Sequence, residues 1–99
     1  MMMRDRIVHT LKTHEAELRR RGVLRTALFG SAARGDAEAN SDIDVLLDLD
    51  PKASISVFDY ADTVRFIQSL FNERVDVSNR ETLKPHVRPS AERDALAVF

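Results

Sequence analysis

Ninety-nine residues, 43% hydrophobic and 31% charged, suffice for one small globular domain with a modest core, read here as residues 1–99. A net charge of −1 offers no broad basic field for nucleic acid, and the absence of cysteine excludes disulfides, thiol catalysis and zinc–thiolate sites. No apolar run approaches the ~20 residues needed to span a membrane, and no signal-peptide core follows Met1-Met2-Met3, so no membrane partner is expected and the compartment expected is the cytoplasm.

Met3, Ile7, Leu11 and Leu18 share one helical face, which predicts a helix over roughly 3–20, stopped by Gly22. The run Arg19-Arg20-Arg21 at its end is expected to complement the helix dipole, with a phosphate or partner contact as the alternative. "VLRTALF", residues 23–29, is short, apolar and bounded by glycines, and reads as a strand. "GSAARGDAEANS" is a polar loop with room for one helical turn after Ser31. "IDVLLDL", residues 43–49, is a second strand ended by Pro51. Val57, Tyr60, Val64, Ile67 and Phe71 predict a helix over 56–71, and "RVDVS", residues 74–78, a short strand. A last helix from about Pro89 to Leu96, with proline in its first turn, and an edge strand at "AVF" complete the chain. This order predicts an α/β (α+β) domain: a short mixed β-sheet flanked by helices, packed mainly on one face.

Two aspartates, Asp42 and Asp44, open a strand that is otherwise core. Side chains alternate along a strand, so both point to one side while Ile43, Val45 and Leu47 point to the other. Asp76 is separated from Val75 and Val77 in the same way, and neighbouring strands would bring three carboxylates onto one sheet face. Two like charges ~4 Å apart repel by about 4 kcal/mol at an effective dielectric near 20. A shared proton or a divalent cation relieves that repulsion, and an all-oxygen donor set suits Mg²⁺ or Mn²⁺. Mg²⁺ typically completes its shell with substrate phosphates, so the cluster also predicts a phosphate-bearing ligand. Gly30 lets backbone approach a phosphate, and Ser31 adds a hydroxyl and a backbone N–H at a turn. Neither Asp-x-Asp nor Gly-Ser says much alone. Their conjunction across ten residues should arise by chance in roughly one chain of this length in a thousand. Together they point to phosphoryl or nucleotidyl transfer.

Gly30-Ser31, the ten-residue spacer and Asp42-Ile43-Asp44 resemble the signature of the polymerase-beta-like nucleotidyltransferase superfamily. "FGSAARGDAEANSDIDVLLD" most resembles its minimal nucleotidyltransferase branch, and "VDVSNRETLKPHVR" the closing segment of that branch. The resemblance implies that Asp42, Asp44 and Asp76 hold Mg²⁺ or Mn²⁺, that Gly30 and Ser31 hold the terminal phosphates of a nucleotide, ATP above all, and that Asp76 helps deprotonate an acceptor hydroxyl. It also implies an antitoxin role beside an all-helical HEPN-type toxin, the AMP acceptor or the protein masked. No second domain is expected to grip an acceptor, and a partner would then supply that grip.

Arg34, close behind Ser31, either reaches a triphosphate or braces the loop by pairing with Asp36, Glu38 or a site carboxylate. His9 and His14, five apart, do not stack on a helix face and are not read as metal ligands. Asp48 shares the parity of Asp44 but lies about 13 Å along the strand, too far for the same ion, and is expected at a solvated strand end. An exposed Phe58 or Phe66 would mark a partner surface.

Overall fold

The computed structural model describes residues 3–35 and 42–99. A four-stranded mixed sheet has the order β3-β2-β1-β4. Strands β1 (Val23–Phe29) and β2 (Ile43–Leu49) are antiparallel neighbours, in the expected places. Strand β3 (Val75–Asn79) runs parallel to β2 at one edge, and β4 (Leu96–Ala97) antiparallel to β1 at the other. The edge strand therefore starts one residue before "AVF". Val98 is buried beyond it, its amide donating to the Thr26 carbonyl at 2.8 Å.

The expected helix over 3–20 is two helices, α1 (Met3–Thr13) and α2 (Glu15–Arg20), broken at His14. Thr10 and Thr13 hydroxyls donate to the carbonyls of Arg6 and His9, and His14 Nδ1 donates to the Thr10 carbonyl at 2.8 Å. Such local bonding competes with the helical ladder. The His14 amide accordingly reaches Leu11, one residue short of the helical repeat, and its ring meets Phe66 edge-on. Apolar periodicity runs through the break, since Ile7, Leu11 and Leu18 are all buried. The basic run at the end of α2 is paired by its own helix: Arg19 with Glu15, and both Arg20 and Arg21 with Glu17.

Helix α4 (Val57–Ser69) starts at a capping box in which Ser56 Oγ accepts from the Asp59 amide and the Asp59 carboxylate from the Ser56 amide. Ile7, Leu11, Leu18 and Ile67 pack with Leu28, Ile43, Val45, Leu47 and Val75 into one core, so α1, α2 and α4 share one face of the sheet. Helix α5 (Arg88–Asp94) carries Pro89 in its first turn, where the missing N–H costs nothing. Ala91 of α5, Ala27 and Leu46 are buried outside that main core, which puts α5 over the opposite face, the face of the even-numbered β2 side chains.

Asp48 departs from expectation. Its carboxylate accepts from Arg80 Nε at 2.9 and 3.2 Å, and Arg80 also reaches Glu92 of α5. Half-buried, it ties β2 to the 3₁₀ turn at Arg80–Thr82 instead of ending a strand in water. Among the described residues no helix is long and apolar enough to cross a membrane.

Candidate active site

The parallel register of β2 and β3 pairs Asp44 with Asp76. Ile43 and Val45 face the core on either side, so the pleat turns Asp44, and Asp42 two residues before it, to the other face. The same argument at β3, with Val75 and Val77 packed on the core, turns Asp76 there too. All three carboxylates thus stand at one end of one sheet face, placed by the alternation that buries their neighbours.

Their fields overlap. The Asp44 carboxyl is held above the ordinary aspartate range, first by burial and then by the charges of Asp76 and Asp42. They are adjacent but not yet gathered round a common point: among the described residues, no three acidic or histidine side chains are set to hold a metal ion as they stand. Arg74, at the entrance to β3, lies between the outer pair, with Nε 3.9 Å from Asp42 Oδ2 and 3.8 Å from Asp76 Oδ1. Arg74 was not among the expected site residues, although its place two residues before Asp76 puts it on the same strand parity.

Gly30 and Ser31 begin α3 (Gly30–Arg34), directly after β1. Phe29 pairs in register with Asp44, which brings the start of α3 alongside that carboxylate. Gly30 has a φ of +68°, and a Cβ built on it would stand 2.6 Å from Asp44 Oδ2. Only glycine allows both the turn and the approach. Buried Ala32 and Ala33 anchor the short helix, and Gly35 ends it in the left-handed region. Gly30, Ser31 and the first two aspartates, ten residues apart in sequence, are therefore one locality.

Arg34, one turn after Ser31 and so on the same side of α3, donates from Nη1 to Asp94 Oδ2 of α5 at 2.8 Å. That bond ties α3 to α5 and comes in addition to a further interaction of Arg34. Asp36 and Glu38 lie outside the described residues. His9 is on α1, and His14 is engaged with Thr10 and Phe66, so neither histidine reaches the carboxylates.

The donor set is all oxygen, mutually repelling and on one accessible face, which fits a hard divalent cation. A glycine-serine turn abuts it. The chain matches the nucleotidyltransferase domain family over residues 11–98. It is 31% identical over 99 residues to the protein adenylyltransferase MntA of Thermococcus cleftensis, an alignment covering 99% of this chain and 98% of that one. A solved structure described as a minimal nucleotidyltransferase superposes with a TM-score of 0.70 at 29% identity, over 90% of this chain and 93% of the other. A toxin–antitoxin structure with AMP-PNP shares the fold, with a TM-score of 0.72 at 16% identity over 93% of this chain and 72% of its own. The chain therefore belongs to the nucleotidyltransferase family, in its minimal, MntA-like branch.

Proposed function

We propose that this nucleotidyltransferase transfers AMP from ATP to a hydroxyl of a partner protein, in a reaction dependent on Mg²⁺ or Mn²⁺. The observation that carries the reading is the register pairing of Asp44 with Asp76, with Asp42 on the same face and Gly30 against Asp44. Asp42, Asp44 and Asp76 would hold the cation. When bound, it supplies Lewis-acid stabilisation of charge on the phosphoryl oxygens. Gly30 and Ser31 receive the terminal phosphates through backbone and hydroxyl, and Arg34 extends that cradle by one turn. Asp76 takes the proton of the acceptor hydroxyl as its oxygen attacks the α-phosphorus. A new P–O bond forms, the bond to the β-phosphate oxygen breaks, and pyrophosphate leaves. The cytoplasm supplies both ATP and Mg²⁺.

The acceptor being a protein is supported by the designation of the Thermococcus cleftensis relative as a protein adenylyltransferase. The partner proposed is a HEPN-type toxin, in keeping with the toxin–antitoxin assembly that shares this fold. With α-labelled ATP and Mg²⁺, label should appear on a co-expressed partner. Equal labelling by an Asp42→Asn, Asp44→Asn variant would defeat the proposal.

A second reading, a non-catalytic antitoxin or scaffold that masks its partner, is favoured by Val57 and Phe58. They stand 82% and 81% exposed at the start of α4, where a solitary domain gains nothing from them. This reading expects the double aspartate variant to keep protecting cells that carry the toxin, and a Phe58→Asp variant to lose that protection while remaining folded.

A further inference from the structure

We propose that Arg74 is a built-in counter-ion of the carboxylate site, standing where a divalent cation must enter and competing with it for Asp42 and Asp76. The inference rests on the metal reading given above. One guanidinium nitrogen is nearly equidistant from the two outer carboxylates, at 3.9 and 3.8 Å. Both contacts come from the same side chain, so Arg74 bridges the two carboxylates. Carboxylates set on neighbouring strands have thus drawn in a cation that their own chain provides at the entrance to β3.

The local structure lets that cation leave. The Arg74 carbonyl accepts the Ile43 amide at 2.9 Å, which fixes the backbone in the sheet. The Arg74 side chain is 77% exposed, so it can swing into solvent with its Cα in place. Exposed ion pairs near 4 Å are weak, and a doubly charged ion at oxygen-ligand distance outcompetes them. Arg74 therefore offsets the mutual repulsion of the carboxylates and lowers their affinity for metal. A neutral side chain at this position removes the competitor and leaves the carboxylates untouched.

The test is Mn²⁺ binding to the full chain without nucleotide, read from the free-ion signal in electron paramagnetic resonance, with thermal melts to verify folding. Arg74→Gln should bind Mn²⁺ about three- to tenfold more tightly than wild type. Arg65→Gln, which removes an exposed arginine paired with Asp62 on α4, should not change the affinity. Unchanged or weaker binding by Arg74→Gln overturns the proposal, as does an equal gain in Arg65→Gln, which would reflect net charge alone. Should wild type and Arg74→Gln both bind no better than the Asp42→Asn, Asp44→Asn variant, the metal reading itself fails, and the inference with it.

Discussion

Asp44 and Asp76 face one another as register partners across two parallel strands, with no residue between them. Neighbouring strands lie about 4.8 Å apart, so both carboxylates can be charged without cost only when a cation is shared between them. The folded chain raises the proton affinity of Asp44 through burial and through Asp76 and Asp42. It thus binds more protons than the unfolded chain between the ordinary value of 3.8 and the raised one. Stability of the metal-free protein falls as pH rises through that window and stays lower above it. Asp44→Asn removes the penalty. At pH 7 and without metal it should melt about 2–5 °C above wild type, and the gap should close below the ordinary aspartate range. Mg²⁺ with ATP should then raise the melting temperature of wild type only, and nucleotidyl transfer by the variant should fall at least about a hundredfold. A metal-free Asp44→Asn protein less stable than wild type at pH 7 would show that the carboxylates are not in conflict.

Gly30 and Gly22 offer a matched pair of substitutions. Both have positive φ, +68° and +94°, and at both an added Cβ meets an atom at under 3 Å: Asp44 Oδ2 at 2.6 Å for Gly30, Ile55 Cδ1 at 2.7 Å for Gly22. Alanine in the left-handed region costs roughly 1–2 kcal/mol, so each Gly→Ala change should lower unfolding free energy in urea by about that amount or somewhat more. The methyl at 22 displaces the far end of a flexible side chain, whereas the methyl at 30 displaces a proposed metal ligand. Gly30→Ala should therefore lose transfer activity per folded molecule, and Gly22→Ala should keep it. Equal losses would mean that the approach of Gly30 to Asp44 has no functional part.

Strands β1 and β2 were legible residue for residue because each is a short apolar run closed by glycine, aspartate or proline, and their pleat alone told which aspartates share a face. The register that sets Asp76 against Asp44 was not legible: it depends on a parallel pairing made after a helical crossover, and alternation fixes parity but not partner. The helix break at His14 escaped because apolar spacing continues through it while the interruption comes from threonine and histidine bonding to the backbone. The long-range partners of Asp48 and Arg34 escaped for a common reason. These partners, Arg80 and Asp94, lie 32 and 60 residues away, and α5 had not been assigned to the face where those pairs form.

The bond from Arg34 to Asp94 joins the turn after β1 to the last helix, and a charge exchange separates its bracing from its proposed place at the phosphates. Asp94 is 20% exposed and Arg34 48%. Breaking this pair with either single alanine substitution should cost about 0.5–1.5 kcal/mol. The exchanged protein, Arg34→Asp with Asp94→Arg, restores an ion pair and should regain most of that stability. It puts a carboxylate beside Ser31, however, so its KM for ATP should rise at least about tenfold. Recovery of wild-type KM would confine Arg34 to bracing α5.

Thr26 tests the core independently of the site. It lies in the middle of β1, paired with Leu47, 1% exposed, and its hydroxyl has no hydrogen-bond partner among the described residues. Its main chain is fully used, the carbonyl accepting from Val98 at 2.8 Å and Phe99 at 3.3 Å, so the strand does not depend on the side-chain oxygen. A buried hydroxyl without a partner costs about 1–3 kcal/mol, and valine has nearly the same shape and equal β-branching. Thr26→Val should raise stability by about 1 kcal/mol, or roughly 4–8 °C in melting temperature, with transfer activity unchanged. Thr26→Ser keeps the hydroxyl and deletes the methyl, so it should lower stability by about 1 kcal/mol. The opposite order would mean that the oxygen is satisfied in solution by a trapped water, and that the strand pairing of β1 with the C-terminal residues is looser than its hydrogen bonds imply.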